Sequence, residues 1–278
     1  MTPGPWFQIS LAQWSLHRAL RDGTLDPLDF PAAARVTHGI DAIEYVNSFY
    51  RAQPNEAFVP ALRQRTGDHG VRNLLIMVDG EGALGAPDEA ARVRAVNAHH
   101  RWVDAAAALG CHSIRVNAQS AGTPAEQRDR AADGLRRLVE YAAPSQINVI
   151  VENHGGLSSN GAWLASVLTQ VDHPRCGSLP DFGNFRIDAD TEYDRYRGVR
   201  ELMPFAKAVS AKSHAFDADG NETRTDYRRM MTIVRDAGYR GHVGVEYEGS
   251  GLSETDGIRV TKELLERVRA ELTPVSSP

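Results

Sequence analysis

Short apolar runs alternate with longer amphipathic stretches from one end of this 278-residue chain to the other. Eight of the runs have the length and β-branched content of buried strands: 7–13, 42–46, 73–78, 113–117, 148–152, 177–181, 208–214 and 243–247. The stretches between them carry helix-start signals at Asp26-Pro27, Pro87-Asp88-Glu89, Thr123-Pro124-Ala125-Glu126, Ser158-Ser159 and Ser253-Glu254. The longest keeps apolar residues at helical spacing from Pro87 onward and ends at Gly110, a residue suited to a helix C-terminus.

Repeated strand–helix units with no linker between them point to a parallel sheet closed into a (β/α)8 barrel. Closure removes the sheet edges and covers every strand with a helix. Such barrels take about 250 residues, so 1–278 reads as a single barrel domain, with the tail 272–278 fraying. An open doubly wound sheet is the competing architecture. It lacks its own signals, since no GxGxxG follows the first run and no GxxxxGK[ST] occurs.

Composition narrows the partners. Hydrophobic residues at 42% and charged residues at 24% are ordinary for a globular protein. A net charge of -5, with no Lys/Arg stripe, argues against nucleic acid. No run approaches the roughly 18 apolar residues of a membrane span. Cys111 and Cys176 stand alone, without CxxC spacing, and read as buried thiols in a reducing compartment. The expectation is a cytoplasmic protein, with an export signal removed ahead of Met1 left open.

In a barrel of this kind the active site lies at the C-terminal ends of the strands. The polar residues there are Glu44, Asp79, Asn117, Glu152 with His154, Asp181, His214 and Glu246. Strand alternation puts Glu152 and His154 on one side and Asn153 on the other. By the same rule Lys212 shares a face with His214, and Glu246 with Glu248. Taken singly, a strand-end carboxylate is as readily a solvated rim residue or a cap, and Asp181 could pin its own turn through Gly183 or Asn184. Three carboxylates and an imidazole converging on one mouth would repel without a cation. One divalent ion resolves this, and O/N ligation suits Mn²⁺, Mg²⁺, Co²⁺ or Zn²⁺. His99, His100 and His112 lie away from strand ends and read as surface or core residues.

Through "VENHGG", "LPDFGNF", "SAKSHAFDADGNET" and "YRGHVGVEYEG" the chain resembles the sugar phosphate isomerase/epimerase family, with its xylose isomerase-like TIM barrel. The resemblance implies that Glu152, Asp181 and Glu246 bind the metal and that two of the carboxylates move the proton. It implies a histidine from the seventh strand as well. Aligned on Lys212, that position holds Ser210, so His214, two residues beyond the lysine, is the candidate and His154 the reserve. Asn184 stands where a histidine often follows the sixth-strand aspartate. The family also allows a homo-oligomer built through the barrel flanks.

The expected function is a divalent-metal-dependent sugar isomerase or epimerase acting through an enediolate, with Glu152 and Glu246 as general base and acid. Asn117 and Lys212 would orient oxyanion charge. Glu44, Arg115, Trp14 and Trp163 would line the sugar site, together with His154 and Asn184. With no Gly-rich phosphate cradle, the reading favours an unphosphorylated sugar. A lyase or hydratase acting on a 3-keto sugar is the alternative, ahead of a non-catalytic sugar-binding barrel. A nuclease of the AP-endonuclease type fits less well, for want of a basic face.

Overall fold

The structure is a computed structural model and describes residues 4–273. Eight strands form one parallel sheet: β1 Gln8–Ala12, β2 Ala42–Val46, β3 Arg72–Met77, β4 Ser113–Val116, β5 Asn148–Glu152, β6 Cys176–Leu179, β7 Val209–Ser213 and β8 His242–Tyr247. Except between β6 and β7, each pairs with its neighbours in chain order, and β1 pairs with β8 as well as β2. Between β6 and β7 the ring closes through isolated bridges, Ser178 to Ala206 and Asp181 to Ser210. Backbone hydrogen bonds from Lys207 to Ser178 (3.0 Å), Ser210 to Pro180 (3.0 Å) and Phe182 to Ser210 (3.1 Å) carry that joint. Pro180 has no N–H to donate, which ends the β6 ladder early.

The helices in chain order are α1 His17–Arg21, α2 Phe30–Ala32, α3 Asn55–His69, α4 Glu89–Leu109, α5 Pro124–Ala142, α6 Gly161–Val171, α7 Arg195–Leu202, α8 Tyr227–Asp236 and α9 Glu254–Leu272. Their starts follow the local chemistry of the sequence. Asp88 caps α4, a reciprocal capping box between Thr123 and Glu126 opens α5, and Ser253 caps α9. Gly110, in the left-handed region at φ 75°, ends α4.

One expected start is displaced. Asn160 caps α6, because the Ser158 and Ser159 hydroxyls are already engaged with the backbone N–H groups of His154 and Gly155. Of the tail expected to fray, Leu272 still belongs to α9, and 274–278 lie outside the described residues.

The main core fills the space between sheet and helices, around Phe7, Phe58, Trp102, Phe182 and Tyr247. A second, smaller apolar layer fills the barrel itself: Ala12, Val46, Leu75, Met77, Ile150, Leu179 and Ala208. The inside of the ring is therefore packed, with the Ser10–Glu44 pair as a buried polar exception, and the larger polar cluster lies at its upper end. Among the described residues no helix is long and apolar enough to cross a membrane.

Candidate functional site

Three carboxylates meet where the apolar plug stops. Glu152 ends β5, Asp181 follows Pro180 just beyond β6, and Glu246 lies near the end of β8. One oxygen from each lies within 4.8 Å of the others, and all three residues are buried. Asp181 is fixed twice over. Its Oδ1 accepts the N–H groups of Gly183 (2.7 Å) and Asn184 (2.8 Å), and its own backbone is clamped by the Asn153 amide. The turn-pinning and clustering roles are thus shared between its two oxygens.

Glu152 Oε1 accepts from Asn184 Nδ2 at 2.8 Å. Its Oε2 lies 2.8 Å from Arg115 Nε, but the N–H points elsewhere, so proximity gives attraction without a hydrogen bond. Glu246 Oε2 accepts from Ser210 Oγ at 2.6 Å. Two buried oxygens, Glu152 Oε2 and Asp181 Oδ2, are left without any hydrogen-bond partner. Buried polar atoms are rarely left so, and a ligand is one of the few reasons.

Charge points the same way. Lys212 Nζ lies 3.3 Å from Glu246, 3.9 Å from Asp181, 3.1 Å from Glu248 and 3.4 Å from Asn184 Oδ1. Arg115 is divided between Glu152 and Asp79. Four carboxylates, those of Glu152, Asp181, Glu246 and Glu248, thus crowd one buried ammonium and a shared guanidinium. Burial pushes Asp181 up to about 8, offset in part by Lys212, and it raises Glu246 as well. A divalent cation would supply the missing positive charge and take up the orphaned oxygens, so the residues present fit a metal of the oxygen-seeking kind.

The remaining candidates separate by depth. Glu44 does not line the mouth. It is buried inside the ring, with Oε1 accepting from Ser10 Oγ at 2.6 Å. Gly244 makes this possible, since a Cβ there would sit 2.7 Å from Glu44 Oε1. Arg115 is buried too, as a counter-charge, and Asn117 donates to Asp79 at 2.7 Å. Trp163 sits on the outer layer, bonded to Pro124 O. Trp14 stays at the mouth, where its indole N–H donates to Glu248.

Neither histidine joins the three carboxylates. His214 lies just past the end of β7, its Nε2 4.0 Å from Glu248, with Lys212 filling the space at the cluster. His154 is exposed, because β5 ends at Glu152 and strand alternation no longer governs it. Glu248, Asn153 and Ser210 were not among the expected site residues. For Glu248 the signal was its alternation with Glu246. For Ser210 it was its place at the histidine position of the family resemblance, and for Asn153, whose partners are distant in sequence, there was none. His154, Asn184 and His214 instead line a cleft of about 820 Å³ beside the cluster, with Gln119, Arg186 and Arg224.

An eight-stranded barrel with an acidic cluster at its strand ends defines the class, and the chain belongs to the xylose isomerase-like TIM barrel family, whose profile matches residues 32–270. No curated protein sequence matches the chain. Among solved structures it is similar to an L-ribulose 3-epimerase (15% identity, TM-score 0.74, covering 98% of this chain and 99% of that one). It is similar also to the 3-keto-D-glucoside 4-epimerase YcjR from E. coli (14%, TM-score 0.71, 95% and 99%). A third is the IOLI protein with a bound zinc atom (12%, TM-score 0.73, 96% and 100%). At these identities the likeness is one of fold.

Proposed function

We propose that this protein is a divalent-metal-dependent sugar isomerase or epimerase that moves a proton on the carbon next to a carbonyl. The observation that carries the reading is the buried triad of Glu152, Asp181 and Glu246 with its two unpartnered oxygens. The epimerases among its structural neighbours support the substrate class, and the zinc in one of them supports the metal.

A divalent ion held there supplies Lewis-acid polarisation of the substrate carbonyl and its neighbouring hydroxyl. Glu152 and Glu246 then divide the proton work, one removing the carbon-bound proton and the other returning it. Asn184 keeps Glu152 oriented, and Ser210 does the same for Glu246. Lys212 donates to the oxyanion that develops, and Trp14 holds Glu248 against that lysine. Asn117 and His154 face the sugar from the rim, and His214, beside Glu248, borders the same cleft. Cys111 and Cys176, both buried and unpaired, fit a cytoplasmic setting.

The test is carbon-bound proton exchange with solvent deuterium across a ketose panel, in protein loaded with Mn²⁺. Exchange that disappears in Glu152→Gln and Glu246→Gln is the expected result. A panel without exchange would rule the reading out. Ser210 and Asn184, standing where the family resemblance places histidines, favour a second reading in which the same deprotonation leads to elimination from a 3-keto sugar. An unsaturated keto-sugar chromophore would select it.

A further inference from the structure

We propose that the substrate carries an anionic substituent, a carboxylate or a phosphate ester, bound by Arg186 and Arg224 in the cleft beside the metal cluster. The inference rests on the proposed function in one respect, that the rest of the same molecule is a carbohydrate.

The cleft shares Asn184 with the cluster and is lined by three arginines, Arg186, Arg195 and Arg224, with Glu192 as the single acid in its wall. Such a concentration of guanidinium groups runs against a chain of net charge -5. Arg195 is already committed, with Nη1 on Thr225 Oγ1 at 2.7 Å and Nη2 on Glu192 at 2.5 Å. Arg186 donates only to Ala189 O, and the Arg224 guanidinium has no acceptor among the described residues.

The backbone at Arg224 is nonetheless held in place, while its side chain is exposed. Both oxygens of Glu222 are filled by backbone N–H groups, those of His214 and Ala215 on one side and of Arg224 and Thr225 on the other. The loop after β7 is thereby a fixed backbone platform that carries the exposed Arg224 in the cleft wall. Fork-shaped donors of this kind match the paired oxygens of carboxylate and phosphate. At the neighbouring Gly155-Gly156 turn the N–H groups of His154 and Gly155 do not compete for the anion, since they are spent on Ser158 (3.2 Å) and Ser159 (2.9 Å).

The experiment is calorimetric titration of Mn²⁺-loaded and chelator-treated protein with D-fructose, D-fructose 6-phosphate and D-fructuronate. At least one anionic sugar should bind about tenfold or more tightly than the neutral one, the increment expected of a charge-assisted pair. Arg186→Gln with Arg224→Gln should erase most of that preference. Arg35→Gln, an exposed arginine outside the cleft wall, should retain it. Which anion binds better distinguishes carboxylate from phosphate. Equal affinities, no binding by any of the three, or a preference that survives the double variant overturns the proposal. Because the readout is binding, anion preference without deuterium exchange would sink the proton-transfer reading and leave this one standing.

Discussion

Ser210 Oγ donates to Glu246 Oε2 at 2.6 Å, from the strand position where the family resemblance places a histidine. A hydroxyl there orients the carboxylate without competing for it. Ser210→Ala should keep the fold and weaken Mn²⁺ affinity roughly tenfold, as loss of support behind a ligand does. A metal titration with unchanged affinity would show that Glu246 needs no such support.

Lys212 is the one ammonium among Asp181, Glu246 and Glu248. Lys212→Met should cost about 3 kcal/mol of stability in chelator, since it leaves buried carboxylates uncompensated. Added Mn²⁺ should restore most of the loss and raise the melting temperature more than it does in the wild type. Equal metal-induced shifts in the two proteins would argue against a shared site.

Burial pushes Glu44 up to about 7 from an ordinary 4.5, with Ser10 partly offsetting it. Its folded-state pKa is raised, so the native protein keeps a proton that the unfolded chain has lost. Stability from this group therefore falls as pH rises from about 4.5 to about 7, then levels off. Glu44→Gln, which retains an acceptor for Ser10, should flatten urea-unfolding stability between pH 5 and 8 by roughly 2 kcal/mol. Parallel pH curves would mean that Glu44 is ionised throughout.

Asn153 ties β5 to the turn after β6 through the backbone of Asp181 and Asn184. Asn153→Leu strands these buried groups and should destabilise by about 3 kcal/mol. Metal occupancy, read by mass spectrometry under native conditions, should fall with it. Full occupancy would show that Asp181 finds its position without the clamp.

Much of this was readable in one dimension. The runs 42–46 and 148–152 match β2 and β5 at both ends, because turn residues bound them sharply. Glu152, Asp181 and Glu246 announced themselves as charges terminating apolar runs. What escaped depends on neighbours distant in sequence. The depth of Glu44 is set by room at Gly244, and the orientation of Glu246 by Ser210 on another strand. His214 lies outside the three-carboxylate group for a local reason, since β7 ends at Ser213 and alternation stops there.

The joint between β6 and β7 is bridged at only two positions, and one of them is Asp181. Glu152 and Asp181 lie on one side of that gap, and Glu246 reaches it from the other through β8. A single ion gripped by all three would act as a clasp across the thinnest part of the wall. The cylinder's mechanical integrity and its chemistry would then depend on the same atom, and a protein stripped of metal would open first at the place where it had worked.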